Sequence, residues 1–220
     1  AYETFPLTAE NDFLPDLDAI PEETARRAKF IYINYPNNPT GAVATKAFYE
    51  KLVAWAKTYE VGVVSDLAYG ALGYRGYENP SFLSTPGAKD VGIEFYTFSK
   101  TFNMAGWRLA FAAGNARMIE ALNLIQDHLF VGIFPALQEA GIAALLDPKS
   151  EEAVAQLNAV YDSRRDAFTQ SAAKIGWQAF PSKGSFYAWM PVPEGYTSES
   201  FADLLLEKAH VAVAPGKGFG

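Results

Sequence analysis

The feature that most constrains this chain is an alternation. Short β-rich runs take turns with helical patterns, and that order is the signature of an α/β domain built on a mostly parallel sheet. Residues 2–7 (YETFPL) and 30–34 (FIYIN) read as strands, the second running into the turn cluster Pro36-Asn37-Asn38-Pro39-Thr40-Gly41. A helix is expected from Thr45, with Thr45 as N-cap and Phe48, Leu52 and Trp55 on one apolar face. Residues 61–65 (VGVVS) form a continuous apolar run that stops at Asp66, the pattern of a strand buried on both faces. Two more strands are expected at 93–99 (IEFYTFS) and 109–113 (LAFAA), separated by KTFNMAGWR.

The second half reads differently. Residues 116–146 are helical in pattern with a break near 132–135, and 150–175 form a long amphipathic helix of the kind that bridges domains. Beyond it the pattern turns to hairpin-like strands at 177–180 and 185–190, a helix over 198–209, and a last strand at 211–214. The expected architecture is a three-layer αβα large domain, residues 1–162, followed by the start of a smaller α+β domain, residues 163–220. The chain opens without Met and closes on GKGFG straight after a strand-like run, which reads as a fragment.

Composition narrows the function. With 18 basic against 25 acidic residues and a formal charge of −7, there is no basic footprint for nucleic acid or an anionic membrane. The absence of cysteine excludes thiolate nucleophiles and Cys-based metal sites. His128 and His210 lie in a helical pattern and an expected strand, without metal-ligand spacing, so no metal site is expected. No apolar run reaches the length of a membrane span and no signal peptide opens the chain, so the reading is a cytoplasmic protein acting on small molecules.

Three expected strands lead, one after another, to a polar residue: Asn38, Asp66 and Lys100. In an open parallel sheet, ligands sit outside the carboxyl ends of the strands, so these side chains should share one crevice. Each has a plainer reading on its own. Asn38 could cap a turn, Asp66 could cap the next segment, and Lys100 could be a surface lysine. Yet Lys100 lies between FYTFS and TFNMAGW, an apolar and aromatic setting that suits an amine nucleophile.

In combination, Asn38-Pro39-Thr40-Gly41, Asp66-Leu67-Ala68-Tyr69, and Ser99-Lys100 with Arg108 eight positions on resemble the class I and II pyridoxal-phosphate aminotransferases of the aspartate-aminotransferase fold. The resemblance covers essentially the whole chain. It implies that Lys100 carries the cofactor and moves a proton at the substrate α-carbon, that Asp66 pairs with the pyridine nitrogen, and that Asn38 and Tyr69 bond the cofactor's phenolic oxygen. Arg108 would hold the phosphate with a bidentate fork. Thr97 occupies the family's serine position, and Ser99 is a second hydroxyl within reach of the same phosphate. Gly106 would allow a close backbone approach, and Trp107 would be core. Tyr74, Tyr77 and Phe82 would be packing or dimer surface, whereas Phe186 and Tyr187 would line the substrate side.

The resemblance further implies a homodimer that passes an amino group from an amino acid to a 2-oxo acid. The stretches YPNNPTGAVAT, SKTFNMAGWR, PVPEGYTSE and LLLEKAHVAVAPG are similar to the methionine-salvage branch of that family, which implies 4-methylsulfanyl-2-oxobutanoate as acceptor and glutamine as donor. Two other readings keep the fold: a C–S β-lyase, and a cofactor-sensing regulatory domain. The ring-stacking aromatic, the N-terminal phosphate loop and the arginine for the substrate carboxylate are expected outside these 220 residues, which by themselves should not transaminate.

Overall fold

The computed structural model describes residues 2–219. Four strands form one sheet in the order β1 (Phe30–Asn34), β2 (Gly62–Asp66), β3 (Gly92–Thr97), β4 (Ala110–Gly114). The first three run parallel, with Asn34 opposite Asp66 and Asp66 opposite Phe95 in register. β4 is antiparallel to β3, pairing Thr97 with Ala110. The carboxyl ends of β1, β2 and β3 therefore lie along one edge.

The helices are α1 (Glu22–Arg27), α2 (Lys46–Tyr59), α3 (Ala88–Val91), α4 (Phe98–Thr101), α5 (Ala116–Leu129), α6 (Pro135–Leu146), α7 (Ser150–Lys174) and α8 (Ser198–Ala209). Thr45 caps α2 as the sequence predicts, its hydroxyl accepting from the Phe48 amide. The buried stripe of α2 is Phe48, Tyr49, Leu52, Val53 and Ala56. Trp55 falls at the rim, its ring tilted against that of Tyr59 at 5.3 Å, because the 3.6-residue period places position 56 rather than 55 over the centre of the stripe.

That stripe meets Ile31 and Ile33 of β1, Val61, and Val63 of β2, with Leu17 and Phe82 closing the cluster. Fully burying one such aliphatic side chain contributes roughly 1.5–3 kcal/mol. The opposite face is more open. Tyr32 is 71% exposed, and α5 covers only part of that side, its Met118 lying against Phe30 and Gly62. β2 is therefore sealed on one face and half-covered on the other, rather than buried on both.

Several predicted strands are not strands. Residues 2–7, 177–180, 185–190 and 211–214 run without a regular ladder. In their place stand single contacts, a Phe180 N–H donating to the Trp189 carbonyl and a Gly73–Gly184 bridge. Alternating apolar residues identify a segment that packs on one face, but a strand also needs a neighbour with free backbone groups. β3 ends at Thr97 instead of Ser99, so Lys100 sits in the short helix α4 that follows. The expected break between α5 and α6 is present. His210 ends α8 in a left-handed conformation (φ 56°) rather than lying in a strand. Among the described residues no helix is long and apolar enough to cross a membrane, and no cluster of three metal-binding side chains exists.

Candidate active site

The loop after β1 is organised by Asn34 and Asn37. Asn37 Oδ1 accepts from the Thr40 amide (3.1 Å) and hydroxyl (2.7 Å), and the Gly41 amide donates to the Asn37 carbonyl (3.0 Å). Asn34 Oδ1 accepts from the Asn38 amide (2.8 Å), while its Nδ2 donates to the Asp66 carbonyl (3.1 Å). One side chain thus ties the ends of β1 and β2 together, and Asn38 is drawn back to the sheet edge although it lies four residues beyond the strand. The turn-capping role open to Asn38 belongs to Asn37, and the Asn38 side chain stays exposed. Gly41 is left-handed (φ 71°), and a Cβ there would run into Ser182, so only glycine fits.

Asp66 stands at the end of β2 and accepts the Ala68 amide at 3.0 Å. Partial burial raises its pKa, and the Ala68 N–H offsets part of that. Asp66 also lines a cavity of about 300 Å³ with Asn34, Asn37, Tyr32 and Phe5. Tyr69, three residues on, is buried, with its hydroxyl 3.2 Å from that of Tyr187. Burial foremost, then the Tyr187 contact and the Asp66 charge, push the Tyr69 phenol upward, while the Asn38 side chain pulls it down.

Lys100 projects from α4 with its ammonium 6.0 Å from the Tyr69 ring centre and 5.5 Å from that of Phe186. The aromatic surroundings expected from its flanks are therefore supplied from a distance, by Tyr69 and Phe186, while Phe98 and Phe102 pack against each other at 5.6 Å. Thr97 caps α4, accepting the Ser99 amide at 3.1 Å, and its hydroxyl contacts both Ser99 Oγ and the Leu109 carbonyl. The Phe98 amide also donates to Leu109 (3.1 Å), closing a loop whose last residue is Arg108.

Arg108 is left-handed (φ 53°) and exposed, its guanidinium donating to the Ala105 carbonyl at 3.1 Å. The sheet thus brings Asn38, Asp66, Tyr69, Thr97, Ser99 and Lys100 to one edge. Arg108 precedes Leu109, whose carbonyl accepts from the Thr97 hydroxyl and the Phe98 amide, while its own guanidinium turns to Ala105. Two expectations in this loop fail. A Cβ on Gly106 would meet open space, so no close approach demands glycine, and Trp107 is 48% exposed rather than core, because the loop stands off the sheet. Tyr74 and Phe82 are buried packing, as expected.

Two sets of contacts escaped the sequence reading. Asn34 looked like an ordinary strand residue, and its only signal is a polar residue ending an apolar strand. The Tyr187–Tyr69 contact spans 118 residues and has no local signal at all.

Residues 2–220 match the family model for aminotransferases of class I and II. This chain belongs to that family. Among curated aminotransferases it is similar to the L-glutamine–4-(methylsulfanyl)-2-oxobutanoate aminotransferase of Bacillus subtilis, 57% identical over 99% of the chain and 54% of that protein. It is also similar to the LL-diaminopimelate aminotransferase of Moorella thermoacetica, 53% identical over 98% of the chain and 55% of that protein. Of solved structures, apo-BacF from Bacillus subtilis superposes with a TM-score of 0.93 at 48% identity, covering 98% of this chain and 55% of that one. An aspartate aminotransferase from Thermus thermophilus superposes at 0.89 with 31% identity, which agrees with the expected fold. The chain spans about half the length of the relatives it matches.

Proposed function

We propose that this chain is the cofactor-binding core of a pyridoxal-phosphate aminotransferase in which Lys100 carries the cofactor. The observation that carries the reading is the setting of the Lys100 amine, held 5.5–6.0 Å from the Phe186 and Tyr69 rings on the sheet edge that also presents Asp66. The donor set fits pyridoxal phosphate. It offers an amine for the aldehyde, a carboxylate for a ring N–H, a phenol and an amide for the phenolic oxygen, and two hydroxyls with a guanidinium for the phosphate.

When bound, the cofactor supplies an electron-accepting ring that stabilises negative charge at a substrate α-carbon. Asp66, which burial makes reluctant to ionise, would gain a cationic N–H partner that offsets this and would keep the ring nitrogen protonated. Tyr69 remains a phenol at neutral pH, hence a proton donor, and Asn38 adds its amide. Thr97, Ser99 and Arg108 would hold the phosphate at the mouth of the loop closed by Leu109. Lys100, freed once substrate is bound, would move the proton at the α-carbon.

We extend the proposal to a homodimer working in the cytoplasm, with a large domain to about Asp162 and a smaller one beyond it. For substrates, the printed activity of the Bacillus subtilis relative supports glutamine as donor and 4-methylsulfanyl-2-oxobutanoate as acceptor. Borohydride reduction of the holoenzyme followed by peptide mass spectrometry should place the phosphopyridoxyl group on Lys100; a label on any other residue overturns the assignment. Methionine formed from glutamine and the 2-oxo acid supports the substrate pair, whereas amino transfer from LL-diaminopimelate alone replaces it.

A further inference from the structure

Tyr187 belongs to no helix or strand, yet its position is built. Ser182 Oγ donates to the Gly41 carbonyl (3.1 Å), the Tyr74 amide to the Lys183 carbonyl (3.0 Å), and the Ser185 amide to the Leu72 carbonyl (3.1 Å). A Cβ on Gly184 would come within 2.8 Å of Pro36, so this run presses directly on the loop after β1. Ser185 is fully buried with φ 61°, and its hydroxyl accepts the Tyr187 amide at 3.3 Å. The run holding Tyr187 is thus fastened to both loops that carry Asn38 and Tyr69. The two phenols meet at 3.2 Å with their rings edge to face at 5.8 Å.

A phenol has one proton to give and accepts through its oxygen lone pairs. If Tyr69 spends its proton on Tyr187, it has none for a cofactor oxygen. If Tyr187 donates instead, the Tyr69 proton is free and, by the cooperativity of linked hydrogen bonds, becomes a better donor. We infer that Tyr187 is a positioning residue that donates its hydroxyl proton to Tyr69 and so directs the single Tyr69 proton toward the cofactor's phenolic oxygen. The inference rests on the proposed reading of Tyr69 and Lys100 and adds to it a residue from a distant part of the chain.

Other charged or titratable groups face this pair. Asp66 approaches from the end of β2, and the Lys100 ammonium from α4. Tyr161 of α7 stacks on Phe186 at 5.4 Å, and Phe186 packs on both phenols. Tyr187→Phe leaves all of them in place and removes one hydroxyl.

The test is a pH titration of the holoenzyme's visible absorbance, which reports proton loss at the Lys100–cofactor link. A hydrogen bond to the phenolic oxygen favours the deprotonated link, because that form leaves more negative charge on the oxygen. Tyr187→Phe should therefore raise the midpoint by about a few tenths of a pH unit, the scale of one cooperative bond. Tyr69→Phe should raise it further, and Tyr187→Phe added to Tyr69→Phe should then change nothing. An unmoved midpoint in Tyr187→Phe, or an equal shift in both backgrounds, overturns the inference while leaving the Lys100 assignment intact. A borohydride label away from Lys100 in the unmutated enzyme overturns both, so the two failures are told apart.

Discussion

From Leu17 to Phe98 the side chains of β1, β2 and α2 close around one another. From Ala116 onward, by contrast, long helices carry apolar side chains that nothing within residues 2–219 covers. Among the described residues, the buried hydrophobics after Phe98 are only Leu109, Ala172 and Ala202, while Leu124, Leu129, Phe130, Phe134 and Leu146 are all more than half exposed. The difference maps onto the site. Asn38, Asp66, Tyr69 and Lys100 stand at or just beyond the ends of strands anchored in the closed half, and Phe186 and Tyr187 reach them from the open half. A site that must hold reacting atoms to within a fraction of an ångström gains by resting on the part that cannot relax. The open half supplies a rim whose own fold carries less of the burial.

If the comparison is right, the largest effect should come from a group on the anchored edge. In the holoenzyme, Asp66→Asn should lower kcat by roughly 10²–10³, the scale of losing one preorganised electrostatic contact, with little change in cofactor retention. Steady-state kinetics beside a cofactor-release assay measure both; near-normal kcat would remove Asp66 from the chemistry. Next comes packing. Leu52→Ala, at a fully buried site, should destabilise by about 2–5 kcal/mol in urea unfolding, while Leu129→Ala should stay within about 0.5 kcal/mol. Equal costs would mean that the two halves are packed alike in solution.

A smaller effect is expected where α2 begins. Thr45→Ala deletes the hydroxyl that accepts the Phe48 amide and should cost ~1 kcal/mol, read from the same unfolding curves, with Thr45→Ser recovering most of it. The smallest concerns Asp66 again. Its folded-state pKa lies above the unfolded value, so the folded chain binds that proton more tightly and loses stability as pH climbs past the ordinary carboxylate range. In cofactor-free protein, Asp66→Asn should therefore match the unmutated chain in acid and exceed it in melting temperature toward neutral pH. A gap that widens in acid instead would show that the fold stabilises the charged carboxylate.

Local signals made the floor of the site legible. β1, β2 and β3 each carry an apolar run bounded by polar or glycine residues, Thr45 is a recognisable cap, and parallel strands must place their carboxyl ends on one edge. Asp66 and Lys100 could be picked out because each follows an apolar run at an interval that resembles the family's motif. The sequence alone therefore determined the α/β class, the family and the set of groups on the sheet edge. Tertiary structure decided the rest. It made Asn34 and Asn37 the organisers of the first loop, left 177–190 and 211–214 without ladders, stood Gly106 and Trp107 off the sheet, and set Tyr187 against Tyr69 across 118 residues. The physical reason is the range of the interaction. Caps, periodicity and turns are settled within a few residues, whereas a hydrogen bond between distant segments depends on where the whole backbone delivers its two ends.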